Sequence, residues 1–163
     1  MKKLLLGIVA ALLLVACATA EERAAREAEN MKMVKQHVGS QQYRIIITQM
    51  RPMRGTSHQV ANRYLKVDGK QLDCSLPYVG RDDIPQFKTR GEIRMDSKIE
   101  FSGALENYLL QLNPKEKCGI VTFSTNYAGE NMKFNIVIDK EGNAKIRLTP
   151  ESRDFIDYEG YIN

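Results

Sequence analysis

Met132-Lys133-Phe134-Asn135-Ile136-Val137-Ile138-Asp139-Lys140-Glu141-Gly142-Asn143-Ala144-Lys145-Ile146-Arg147-Leu148 is the stretch whose reading decides the fold. Phe134, Ile136 and Ile138 share one face at a period of two, and so do Ala144, Ile146 and Leu148. That period belongs to a strand with one buried face; a helix would need steps of three and four. Asp139 to Asn143 supply turn residues, with Gly142 where a left-handed bulge position falls. The segment therefore predicts two antiparallel strands sharing an apolar face.

Upstream, the same period recurs. Tyr43, Ile45 and Ile47 alternate with Arg44, Ile46 and Thr48, and Arg51-Pro52-Met53-Arg54-Gly55 breaks the run. Strands near Tyr64 to Val67 and Lys70 to Cys74 meet across Asp68-Gly69, a hairpin signal in which both central positions need positive φ. Asp96-Ser97 reads as another turn, between strands at Glu92 to Met95 and Lys98 to Phe101. Asn113-Pro114-Lys115-Glu116 separates Glu106 to Leu112 from Gly119 to Ser124. Short strands joined by hairpins, without βαβ alternation, predict a mainly β fold: an antiparallel meander forming a small closed or nearly closed barrel. Before it, Glu21 to Val38 reads as an N-terminal helix, with Ala24, Ala28, Met31 and Val38 on one side and Gly39 as its left-handed stop.

At the amino end, Lys2 and Lys3 precede an apolar run from Leu4 to Val15, too short to span a bilayer and shaped like a secretory signal. Leu14-Val15-Ala16-Cys17 resembles the lipobox of bacterial lipoproteins. The resemblance implies cleavage before Cys17 and lipidation of its thiol; the alternative is a plain signal peptide with Cys17 incidental. The expected organisation is 1–16 lipoprotein signal peptide, 17–40 lipidated tether and helix, and 41–163 antiparallel β-barrel domain. The membrane, through lipid on Cys17, is the first expected partner. Ala18 stands where an inner-membrane retention signal would have aspartate, and Glu21-Glu22 weakly resembles a surface-export signal. The expected location is therefore the outer membrane, facing periplasm or cell surface.

Charge and cysteine usage bound the function. Of 24 basic residues, Lys2 and Lys3 fall in the signal, which leaves 22 against 20 acids, or +2. With the basic residues interspersed among acids, no nucleic-acid partner is expected. The absence of Trp also argues against an indole platform for carbohydrate. With Cys17 assigned to lipid, Cys74 and Cys118 remain, either as a disulfide or as two buried free thiols. A bridge would close a loop of about 45 residues, for up to roughly 4 kcal/mol in the chain-entropy model. His37 and His58 are the only histidines, Ser57-His58 lacks an orienting third group, and no glycine-rich phosphate loop opens a helix. The expectation is no enzyme, no catalytic residue, no metal and no cofactor.

Two further motifs carry a family resemblance. Leu76-Pro77-Tyr78-Val79-Gly80-Arg81 and the closing pattern Arg153-x-x-Ile156-x-Tyr158-x-Gly160-x-Ile162 resemble the domain of unknown function family 4251, as does the early loop Met50-x-Pro52-x-x-Gly55. The likeness runs from about Tyr43 to Ile162. It implies a small lipocalin-like β-barrel and offers no catalytic residue to carry over. Read physically, Pro77 fixes φ and Gly80 permits positive φ, so the motif describes a sharp excursion of the chain. Two roles stay open for Pro77, Tyr78, Gly80, Arg81, Arg153 and Tyr158: a latch that shuts one barrel end, or the rim of a pocket. The expected function is a lipid-anchored, non-enzymatic binding module for a small apolar ligand or an envelope protein. The alternative is an accessory lipoprotein whose barrel is filled by Ile45, Leu65, Phe123, Phe134, Ile136 and Ile146.

Overall fold

The computed structural model describes residues 34–81, 93–113 and 115–163, together with scattered residues between 22 and 32. The lipobox, Cys17 and the signal segment lie outside the described residues. Nine strands follow one another: β1 (Gln42–Pro52), β2 (His58–Asp68), β3 (Gln71–Arg81), β4 (Ile93–Ala104), β5 (Glu106–Asn113), β6 (Cys118–Tyr127), β7 (Glu130–Asp139), β8 (Asn143–Pro150) and β9 (Ile156–Ile162). They form one antiparallel sheet in the order β4-β3-β2-β1-β9-β8-β7-β6-β5, so the last strand is inserted between the first and the eighth.

The stretch from Met132 to Leu148 folds as its period requires. Phe134 faces Leu148, Ile136 faces Ile146 and Ile138 faces Ala144, all buried. Asp139 organises the turn: its Oδ1 accepts the amides of Glu141 and Asn143, each at 2.9 Å, and Gly142 takes φ 87°. The next hairpin upstream carries no expected turn signal. Tyr127 pairs with Glu130 across Ala128-Gly129, both at positive φ (54° and 81°), the geometry of a type I′ turn with an unusual alanine in first place. Between β2 and β3 the turn is one residue later than expected. Asp68 pairs with Gln71, and of the central pair Gly69-Lys70 only Gly69 has positive φ (60°).

Two expectations about the sheet are corrected. Asp96-Ser97 makes no hairpin, because β4 runs through it. Tyr78 pairs with Ser97 and Gly80 with Arg94, so two steps on β3 oppose three on β4 and the turn-forming residues sit at a bulge. The sheet is a curled half-barrel, open rather than closed, with β4 and β5 as its edges. Only Leu105 lies between these two strands, fewer residues than a hairpin needs, so the chain cannot double back there and each strand keeps its other neighbour. Side chains instead tie β4 to β6, the strand next to the other edge: Thr125 Oγ1 donates to the Ala104 carbonyl at 2.7 Å, and Phe101 stacks on Tyr127 with centroids 4.7 Å apart.

Of the expected N-terminal helix, the continuously described part is short, residues 34–39, with Val34 and Val38 buried. Tyr108 on β5 donates its hydroxyl to the Val38 carbonyl at 2.8 Å, which fixes this segment over one end of the core. Gly39 is helical, and the left-handed residue is Gln41 at φ 56°. Ser40 N–H still finds the Gln36 carbonyl, so the helical bonding runs past the glycine that was expected to stop it.

The core is the concave face of all nine strands. Ile45, Leu65, Phe123, Phe134, Ile136 and Ile146 are all buried in it, and Phe123 stacks between Tyr108 (6.2 Å) and Phe134 (4.8 Å). The interior is therefore filled by side chains, as small barrels can be.

Candidate functional site

Two regions gather the polar chemistry of the molecule. The first is the end of the half-barrel where the segment linking β8 to β9 crosses over β3. The Leu76-to-Arg81 motif is no excursion: it lies wholly inside β3, with Pro77 paired to Lys98 on β4. Proline is tolerated here because β2 pairs with β3 only as far as Ser75. The Pro77 carbonyl accepts the Tyr158 hydroxyl at 2.8 Å, so the side of Pro77 that lacks an N–H is the side without a ladder. Tyr78 donates to the Asp154 carbonyl at 2.7 Å. Gly80 is needed for space and does not use positive φ. A Cβ there would stand 2.7 Å from the Tyr78 hydroxyl and 3.2 Å from Asp154 Cβ.

Arg153 completes the cluster. Its guanidinium lies 5.2 Å from the Tyr78 ring centroid and donates through Nε and Nη2 to Glu130 Oε2 at 2.8 and 2.6 Å. Both side chains are about 5 % exposed, and Glu130 Oε1 takes the Ser152 amide at 2.8 Å. Five of the six motif residues thus meet: Pro77, Tyr78, Gly80, Arg153 and Tyr158. Arg81 ends β3 opposite Ile93, and its side chain is not among those described. Glu130, Ser152 and Asp154 had no sequence signal, since a carboxylate 23 residues before its arginine satisfies no local spacing rule.

Cys74 and Cys118 are both buried free thiols in this structure, the second of the two alternatives. They lie on β3 and β6, strands that are not neighbours in the sheet, and each has a partner of its own: Cys74 Sγ points at the Ile99 carbonyl and Cys118 Sγ at Glu116, both at 3.9 Å. Burial pushes the Cys74 thiol up to about 12, and burial likewise raises the phenols of Tyr43 and Tyr158. In the unfolded chain these groups ionise from about pH 9 and 10. Above pH 9 the unfolded chain therefore holds fewer protons than the folded one, and stability falls as pH rises. Cys74 alone should remove about 2 kcal/mol between about pH 9 and 10.5. Urea midpoints measured across that range are expected to drop, and iodoacetamide at pH 8 should leave Cys74 unmodified until the chain is unfolded.

The second region is a groove of about 850 Å3 on the face of the sheet opposite the core. The register aligns its central row: Thr122 on β6, Asn135 on β7, Arg147 on β8, Asp157 on β9 and Arg51 on β1 are successive cross-strand partners. Arg147 grips Asp157 through two bonds of 2.7 and 2.9 Å and lies 4.6 Å from the Phe155 ring centroid. Arg51 reaches Glu159 at 3.7 Å. At the β5 end, Asn107 takes φ 54° at a register break and donates to Ser124 Oγ at 3.2 Å. The aromatic residues next to the groove, Phe123, Phe134 and Tyr158, are buried. Among the described residues no group of three or more His, Cys, Asp or Glu is placed to hold a metal, and no helix is long and apolar enough to cross a membrane.

Comparison with known proteins agrees with this architecture. No curated protein matches the chain. A crystal structure of a DUF4251 family protein from Bacteroides eggerthii DSM 20697 superimposes with a TM-score of 0.60 at 14% identity, over 83% of this chain and 87% of that one, which establishes the shared fold. The family model described as domain of unknown function (DUF4251) matches residues 25–162, from the helix through the closing Tyr158-x-Gly160-x-Ile162 pattern, and the chain belongs to that family.

Proposed function

We propose that this chain is a lipid-anchored, non-enzymatic binding module of the bacterial envelope that works through the outer groove of its sheet. Cys17 carries the lipid in this reading, and the outer membrane is the site of attachment. The observation that carries the binding role is the contrast between the two faces. The interior where a small apolar ligand would sit is occupied by Phe123, Phe134, Ile136 and Ile146, whereas the polar outer face offers an open groove of about 850 Å3. That volume is within the range of ligand sites, but its lining suits a polar partner. The cluster around Arg153 is the latch that holds the β8–β9 segment in place.

The filled interior also favours a second reading, an accessory lipoprotein with no ligand. Native mass spectrometry of protein purified from its own host separates the two. Binding predicts a co-purified mass on the wild type that is lost from Asn135→Trp, which plugs the centre of the groove from an exposed strand position. A wild-type chain that emerges bare supports the accessory reading, and a mass that survives Asn135→Trp overturns the groove. For the anchor, metabolic palmitate labelling is expected to vanish in Cys17→Ala; label that persists would refute it.

A further inference from the structure

We propose that the groove receives an extended acidic peptide segment, an inference that rests on the groove being the binding face. Four cations line it, Arg51, Lys133, Lys145 and Arg147, against two carboxylates, Asp157 and Glu159. Asp157 is held by Arg147, while Glu159 reaches Arg51 at 3.7 Å and lies directly opposite Lys145 on β8. Among the described residues Lys133 and Lys145 make no ion pair, and both are exposed, so the lining keeps a surplus of two positive charges for a ligand.

Their spacing defines what fits. Lys145 pairs with Val137, four residues beyond Lys133 on β7, so the two lysines stand on one face about 13 Å apart along the strands. In an extended peptide the side chains at positions i and i+4 also share a face and are about 13 Å apart. Two acidic residues at that spacing meet both lysines at once. Between the lysines, Asn135 presents an amide that both donates and accepts, which suits a peptide backbone. Arg147 is held rigid by Asp157 and Phe155, so it forms a fixed wall. An acidic oligosaccharide is less well served, because it lacks a ring to stack on. The neighbouring aromatic residues are buried in the core, and Arg147 covers Phe155.

The test uses the full mature chain and a fluorescein-labelled peptide, Gly-Glu-Thr-Ser-Thr-Glu-Gly, in an anisotropy titration at low and at near-physiological salt. Saturable binding is expected that weakens with salt, and about three- to five-fold in each of Lys133→Ala and Lys145→Ala. The same peptide with both glutamates replaced by glutamine should bind far more weakly. Equal binding of the two peptides, or unchanged affinity in the double lysine variant, overturns the proposal. So does preferential binding of an oligogalacturonate probe, which would leave the groove itself standing. Failure of the peptide alongside a native mass retained by Asn135→Trp would remove both the ligand class and the groove.

Discussion

Gly160→Ala is expected to lower the unfolding free energy by more than about 4 kcal/mol, or to prevent folding altogether. Gly160 sits mid-strand in β9, paired with Ile47 on β1 and Ala144 on β8. A Cβ there would collide with the Ile46 carbonyl oxygen, and would stand 2.9 Å from Ile46 C and 3.2 Å from Ile47 Cα. All three atoms are backbone, so no side-chain rotation relieves the contact. β9 would have to leave β1, the pairing that ties the carboxyl-terminal strand to the amino-terminal one. Gly119→Ala is the control. Its Cβ would meet Leu110 Cδ1 at 3.6 Å, an ordinary contact, and stability should change by less than about 1 kcal/mol. Urea unfolding followed by circular dichroism checks both; a Gly160→Ala domain as stable as wild type would refute the close-approach argument.

Removing the carboxylate of Glu130 should cost about 3–5 kcal/mol, because it strands the Arg153 guanidinium in the interior. The Ser152 amide loses its acceptor in the same step, and the β8–β9 segment loses its attachment to the β6–β7 turn. At about 2–4 °C per kcal/mol for a chain of this size, the thermal midpoint of Glu130→Ala is expected to fall by roughly 10 °C. Replacing both partners, as in Glu130→Met with Arg153→Met, should recover much of that loss, since neither charge is then buried alone. If Glu130→Ala melts within a degree or two of wild type, the clamp has no energetic weight. If the double variant is as unstable as the single one, the loss comes from packing rather than from a stranded charge.

Local periodicity made much of the sheet legible in the chain. The β7–β8 hairpin follows from alternating apolar residues and a five-residue turn whose Asp139 and Gly142 do what those residue types do anywhere. The same logic found β1 and the β5–β6 turn. It misplaced Asp96-Ser97, because a turn-forming pair also suits a bulge, and only the length of β3 decided between them. It expected near closure of the barrel, although the single residue between β4 and β5 rules out a hairpin there. The motif residues were visible as a pattern without their reasons. Gly80 yields room to the Tyr78 hydroxyl and Gly160 to the β1 backbone, and neither needs the positive φ that glycine usually suggests.

By itself, then, the sequence determined most of the antiparallel strands, the buried faces of β7 and β8, and the family, because a two-residue period and turn chemistry act between near neighbours. The tertiary structure alone decided that β9 lies between β1 and β8, that Glu130 meets Arg153, and that Lys133 and Lys145 share a groove with Arg51. Those contacts join residues tens of positions apart, where strand order and register, rather than local preference, set the distances.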